Sequence, residues 1–540
     1  MPSRHRRPRT ATTTTTITTI TAALVLTAPL LISSPTAPAA LADPNNNSPA
    51  KLTKAVTLDG VLRHLDAFQA IADTHGDRAA GRPGYQASVD YVVDTLTAAG
   101  YEPTTQAFEF PYVEEKSELE QLAPAPTTYV PERDFTRNNF TPTFIGEATA
   151  PAYPVDVVIP PGPTPNSNSS GCEAADFVGF PIGGIALLQR GTCGFAQKTL
   201  NAQAAGASGV VLFNEGQPGR TGLSTPIGDT PGLAIPVVFA TYAVGEALAA
   251  NAPRIVRVKV DFFSETRTAW NVFAESHEGL ADNTVMAGAH LDSVQDGAGI
   301  NDNGTGSAAL LETAVQLAKV KTNNLVRFAW WGAEEEGLLG SEHYIATLPQ
   351  AEQDRIALYL NFDMVGSPNY FNGVYDGDNS SGTAPPGFIP PGSAEIEDVF
   401  EKFYADRGVP SEDTEFSGRS DYGPFIQVGI PAGGLFTGAE GVKTAAQAAR
   451  YGGVAGAAFD PCYHQPCDSL SPLDDGADPA LYAQLDAAYD LRGNVNAVAL
   501  DVNADAIATA VITFAFDTST VNSVRSPGKS HGASSVRITS

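Results

Sequence analysis

Three short apolar runs, residues 284–289, 325–331 and 356–362, each lead into an acid or a histidine, and this pattern constrains the fold more than any other feature of the chain. Runs this short are strand-length, whereas residues 307–320, 394–407 and 501–514 carry helical periodicity. Strands that alternate with helices build an α/β layer arrangement around a mostly parallel mixed sheet, with helices on both faces. In open sheets of this kind, ligands bind at the carboxyl ends of the strands. The first run is followed by His290 and Asp292, the second by Gly332-Ala333-Glu334-Glu335-Glu336, and the third by Asp363-Met364. Taken singly, a strand-end Asp is most often a turn former or a helix cap, and Asp302, ahead of the 307–320 helix, reads as a cap by itself. Taken together, they place several carboxylates and an imidazole on one edge. Cys462-Tyr463-His464-Gln465-Pro466-Cys467 adds a second histidine on a small Cys-bounded loop.

Two histidines and several carboxylates are the donor set that a pair of zinc ions requires. Three successive glutamates usually mark a solvated face, but these follow the bulky Phe328-Ala329-Trp330-Trp331, which belongs in a core. Acids at the edge of such a strand face a cleft and repel one another unless cations intervene.

With 540 residues the chain exceeds the usual size of one domain, so two folded units are expected. Residues 1–42 read as a secretory signal: Arg4, Arg6, Arg7 and Arg9 form a basic start, 17–32 is a Thr-diluted apolar stretch, and Ala40-Leu41-Ala42 is a cleavage site. A membrane anchor is the alternative, but the apolar core is short and broken by Thr and Pro29, and no later segment reaches about 18 consecutive apolar residues. The protein is therefore expected to be secreted and extracellular. Its formal charge of −28, or −32 without the four leader arginines, argues against nucleic acid or an anionic membrane as partner. Export also governs the four cysteines: Cys172 with Cys193 and Cys462 with Cys467 fit two local disulfides. A four-cysteine zinc site is disfavoured because no CxxC pair exists.

Along the chain, Leu58, Leu62, Leu65, Phe68 and Ile71 recur at helical spacing, and a second helix is expected over 86–99, followed by an extended stretch over 104–110. From 113 to 166 the chain is rich in Pro, Thr and Asn and offers few long periodic elements. Within 184–214 lie a strand over 185–188, a helix over 195–205 with Gly206 as its cap, and a strand over 209–213. This segment, and above all Arg190-Gly191-Thr192-Cys193-Gly194-Phe195-Ala196-Gln197-Lys198, resembles the protease-associated domain, a module inserted in secreted and vacuolar peptidases. The expected layout is a signal over 1–42, a catalytic domain over 43–112 and 263–518, an inserted smaller β-rich unit over 113–262, and a flexible tail over 519–540.

The rest of the chain resembles the two-zinc aminopeptidases secreted by streptomycetes, together with the vacuolar aminopeptidase Y type that carries the same insert. The likeness rests on Gly81-Arg82-Pro83-Gly84-Tyr85, Met286-Ala287-Gly288-Ala289-His290-Leu291-Asp292, Gly299-Ile300-Asn301-Asp302-Asn303-Gly304, Phe328 to Glu335, Asn361-Phe362-Asp363-Met364, Gly418-Arg419-Ser420-Asp421 and Cys462-Tyr463-His464. It implies the zinc exopeptidase fold and two zinc ions per chain: His290 and Asp363 on one, Glu335 and His464 on the other, Asp302 between them, with a cis bond after Asp302. It further implies Glu334 as general base, Asp292 as the carboxylate orienting His290, Tyr463 as oxyanion donor, Arg419 in the substrate-binding segment, and Met364 and Phe436 along the pocket for the N-terminal side chain. The substrates implied are peptides or proteins with a free N-terminus, with a preference for large hydrophobic residues such as Leu, and the protein is expected to be a monomer.

Some positions depart from that pattern or stay open. Glu336 stands where an apolar residue is common and is expected to face solvent. Asp501 and Asp505 match a calcium-associated pair, but Ala55 and Val56 stand where its acidic partner belongs, so calcium stays open. The triplets at Asn303 and Asn139 fit glycosylation by chance, the former lying in the proposed site. A carboxypeptidase or dipeptidase of the same fold, a one-zinc glutaminyl cyclase, and a non-catalytic peptide-binding relative remain as alternatives.

Overall fold

The computed structural model describes residues 45–137, 144–224, 230–250 and 253–525. The leader, the Asn139 triplet and residues 526–540 lie outside the described residues.

The three runs form adjacent parallel strands. Leu280–His290 sits between Asn324–Trp331 and Ile356–Phe362, and Ala432–Phe436 continues the parallel set beyond the latter. Alternate residues serve opposite faces, as strand geometry requires. Val285, Ala287, Ala289, Phe328 and Trp330 enter one core with Leu310, Ile507 and Val511, whereas Met286, Ala329 and Trp331 enter a second with Tyr344 and Phe425. The first core is covered by the helices Leu58–His75, Gly306–Leu317 and Ala497–Phe516, the second by Leu339–Thr347 and Tyr422–Gln427. This is the mixed, mostly parallel sheet with helices on both faces that the alternation implies.

The helix starts follow local chemistry. Thr57 accepts the amide of Gly60 ahead of Leu58–His75, and Pro83 opens the next helix, which begins earlier than the periodicity indicated, at Pro83 rather than 86. Helix Ala497–Phe516 is long and apolar, and most of it, including Leu500, Ile507, Val511 and Phe514, is buried within the protein.

Residues 113–166 are more regular than their composition suggests. Strand Thr104–Glu115 runs past 110, and Glu118–Ala123 and Phe144–Pro154 are also strands. Their small and polar side chains leave too weak an apolar alternation to read. All three pair with Arg254–Glu275, a 22-residue strand, about 70 Å of chain at strand rise. Its last residues pair in turn with Arg327 to Trp330, so one sheet continues from the three central strands into the inserted segment. There the strands Ile185–Gln189, Gly209–Phe213 and Val237–Ala240 are parallel, with Phe195–Ala204 against one face and Tyr242–Ala249 against the other. Helix Phe195–Ala204 is capped by Ala205, and Gly206, at φ +87°, is the next residue. At the other end, Ser519–Val524 is a helix with Val521 buried, because one apolar side chain anchors a segment whose polar composition suggested a tail.

Arg78 is fully buried, and its guanidinium donates to the carbonyls of Leu291, Ala298 (2.8 Å) and Gly299 (2.7 Å), closing the loop that follows His290. Burial lowers its pKa to about 10 against the pull of Asp292, Asp468 and Asp302, so it stays charged at neutral pH. Arg78→Met strands three buried carbonyls, and urea unfolding is expected to show a loss of about 3–5 kcal/mol. A loss below about 1 kcal/mol contradicts that role.

Candidate metal centre

His290 is the last residue of its strand, 1 % exposed, and Asp363 immediately follows the neighbouring strand. Asp302 lies in an irregular turn, Ile300–Thr305, and its bond to Asn303 is cis. Asp302 does not cap the following helix. Asn303 does so: its side-chain oxygen accepts the amides of Gly306 (3.0 Å) and Met364 (3.1 Å), while its amide group donates to the carbonyl of Phe362 (2.8 Å). Asp302 is thereby left free to face inward. Asp468, directly after the second disulfide, accepts the backbone amides of Asn301 (2.8 Å) and Asp302 (2.9 Å). Both disulfides, Cys172–Cys193 and Cys462–Cys467, are present, and the latter bounds the loop that carries His464.

The carboxylate of Asp302 divides between two imidazoles. One oxygen lies 3.2 Å from His290 Nε2 and the other 3.3 Å from His464 Nε2. Asp363 Oδ1 stands 3.3 Å from His290 Nε2, and Glu335 Oε2 stands 3.0 Å from His464 Nε2. His290, Asp302 and Glu335 together offer ligand atoms within 4.8 Å of one another. Two buried oxygens, Glu335 Oε1 and Asp363 Oδ1, have no hydrogen-bond partner. Unpaired buried acceptors beside two imidazoles fit divalent cations, which borrow such lone pairs.

Electrostatics in the protein alone carry the same message. Burial pushes the Glu335 carboxyl up to about 7, with Asp302 adding repulsion and His464 opposing it. Burial likewise raises Glu334 well above its ordinary range, His290 opposing and Asp363, Asp421 and Glu335 reinforcing. Burial disfavours the charged form of His290, yet Asp363, Glu334, Asp292 and Asp302 outweigh it and leave the imidazole raised. The carboxylates around the two imidazoles thus call for positive charge, which a metal brings.

Asp292 faces two groups, His290 and the glutamate turn. His290 Nδ1 contacts the backbone carbonyl of Asp292 at 3.1 Å, closer than its carboxylate at 3.7 Å. That carboxylate also accepts the amides of Glu334 (3.2 Å) and Glu335 (3.3 Å), fixing the glutamate turn. Tyr463 stacks on His464, ring centroids 3.8 Å apart, and its hydroxyl is held protonated by burial, then by Asp302 and Glu335. Glu336 does not simply face solvent: it is half-buried, and burial, then Asp292, raise its carboxyl while Gln295 opposes them. Asp505 pairs with Arg407 at 2.6 Å.

A cavity of about 250 Å³ is lined by Phe371, Phe436, Phe459, Arg419 and Glu440 among others. Met364 is absent from its lining, buried with its backbone held by Asn303 and Thr437. Three further residues shape the centre without having been expected to. Ser420 donates to Asp363 Oδ2 at 2.5 Å. Asp421, fully buried and raised to about 7 chiefly by burial, accepts from Ser341 at 2.5 Å. Asp468 positions Asp302. Their signals in the sequence are the Gly418-Arg419-Ser420-Asp421 phrase and the acid after Cys467, neither of which states a partner.

Residues 271–485 match Peptidase family M28, and residues 153–248 match the PA domain. An aminopeptidase of Pseudomonas aeruginosa is 48 % identical over 436 residues, covering 80 % of each chain. A probable leucine aminopeptidase 2 of Trichophyton verrucosum is 38 % identical, covering 79 % of this chain and 82 % of the relative. A solved zinc aminopeptidase of Bacillus subtilis shares the fold, with a TM-score of 0.50 at 22 % identity, over 84 % of this chain and 94 % of that one. The protein belongs to Peptidase family M28, a family of metallo-exopeptidases, and carries an inserted PA domain.

Proposed function

We propose that the protein is a secreted, monomeric two-zinc aminopeptidase that removes the N-terminal residue of peptides and proteins and prefers large hydrophobic residues such as Leu. The observation that carries this reading is the Asp302 carboxylate, one oxygen against each imidazole, with Asp363 and Glu335 beside the two histidines. The names of its Pseudomonas and Trichophyton relatives as aminopeptidases, and of the Bacillus neighbour as a zinc enzyme, support it.

His290 and Asp363 would hold one zinc and Glu335 and His464 the other, with Asp302 offering one carboxylate oxygen toward each. When bound, the pair acidifies water and polarises the carbonyl of the first peptide bond. Glu334, half-buried on the turn that Asp292 fixes, takes the proton of the attacking water and passes it to the leaving amine. The protonated Tyr463 hydroxyl donates toward the developing oxyanion. The surrounding carboxylates attract a free α-ammonium, which selects the amino end of a chain. The side chain of the first residue enters the cavity walled by Phe371, Phe436 and Phe459. Its volume exceeds the roughly 150 Å³ that holds a benzene ring, so a large apolar side chain fits. Residues 113–262, the inserted unit, remain outside this chemistry.

Leucine p-nitroanilide and its N-acetylated form, each with and without a zinc chelator, test the proposal. Hydrolysis of the free-amine substrate alone, abolished by complete metal removal, is expected. Cleavage of the capped substrate, or activity that survives metal removal, contradicts it.

A further inference from the structure

The cavity is not wholly apolar. Glu440 and Arg419 stand in its lining, 3.3 Å apart, with side chains 58 % and 67 % exposed. Behind them the rings of Phe371 and Phe459 lie 4.8 Å apart, and Phe436 meets Phe371 edge-on at 6.5 Å. Gly438, at φ +100°, lets the chain pass tightly over Phe459: a Cβ there would come within 2.4 Å of the ring. That crossing carries Ala439 and Glu440 to the cavity. Arg419 immediately precedes Ser420, which donates to Asp363 Oδ2 at 2.5 Å, and Phe436 immediately precedes Thr437, whose amide donates to the carbonyl of Met364 at 2.9 Å, which ties this mouth to the metal centre.

We propose that Glu440 extends the substrate range to N-terminal lysine and arginine, its carboxylate receiving the cationic head while the stem lies along the phenylalanine rings. The proposal rests on the aminopeptidase reading and names a second substrate class for the same cavity. Lysine and arginine have an apolar stem and a charged tip, the division that this wall and rim present. Charge chooses the cation over an anion. Arg419 is paired with Glu440 in the lining, and a second acid, Glu415, directly follows the lining residue Thr414, so acids outnumber bases at this rim. An exposed pair such as Arg419–Glu440 contributes at most about a fivefold preference, so a substrate cation can displace Arg419.

The test compares kcat/KM for lysine and norleucine p-nitroanilides, whose side chains share a four-carbon stem and differ in charge. The zinc-loaded wild-type protein is assayed beside Glu440→Gln and Glu440→Lys. The lysine-to-norleucine ratio is expected to fall about two- to fivefold in Glu440→Gln and further in Glu440→Lys. Added salt is expected to lower the wild-type ratio, since the contact is exposed. A ratio that neither substitution moves overturns the role of Glu440 while the aminopeptidase reading stands on norleucine turnover. Failure of the wild-type protein on both anilides overturns that reading, and the proposal with it.

Discussion

Glu334→Gln is expected to lower kcat by about a hundredfold or more while zinc content stays at the wild-type level. The amide keeps the shape of the carboxyl but cannot carry a proton from water to the leaving amine. A hundredfold corresponds to about 2.7 kcal/mol of barrier, the contribution of one well-placed general base. Glu334 is well placed for this proton transfer, because its amide is held by Asp292, and burial with three neighbouring acids gives its carboxyl a high proton affinity. The unaltered ligands account for the retained metal. Steady-state kinetics beside metal analysis separates the two effects. Near-normal turnover moves the base elsewhere, and Glu336 and Asp421 are the nearby acids to examine next.

Asp302→Ala is expected to remove both ions and, with them, activity by well over a hundredfold. Partners of metal ligands alone cost about 10- to 100-fold in affinity when changed, so the loss of a shared ligand exceeds that. Each imidazole faces one oxygen of this carboxylate, and the backbone that places it is held by Asp468 and Asn303. A variant that keeps one tightly bound ion shows that the two sites fill independently and that Asp302 does not bridge.

Much of the central sheet was legible because buried parallel strands must be short, apolar and bounded. Ile356–Phe362 is buried at every position and matches its apolar run residue for residue. The acids and histidines after such runs were legible for the same reason, since strand ends converge on one edge. The division of labour around them was not. Asp302 and Asn303 are adjacent and both polar, and only the fold gives capping to Asn303 and leaves Asp302 for the centre. Asp292 stands two residues from His290, and nothing in that spacing says that its carboxylate also holds the glutamate turn, which it does. The strands over 118–123 and 144–154 were hidden because pairing with Arg254–Glu275, rather than a strong apolar alternation, stabilises them. Glu440 gave no signal at all: its meaning comes from a cavity assembled from distant segments.

The most direct measurement is a zinc titration of metal-free protein by calorimetry, with metal content checked by mass spectrometry and peptidase activity followed in parallel. The arrangement of His290, Asp363, Asp302, Glu335 and His464 predicts two zinc ions per chain and full activity only when both are bound. Saturation and full activity at a single ion per chain would contradict it.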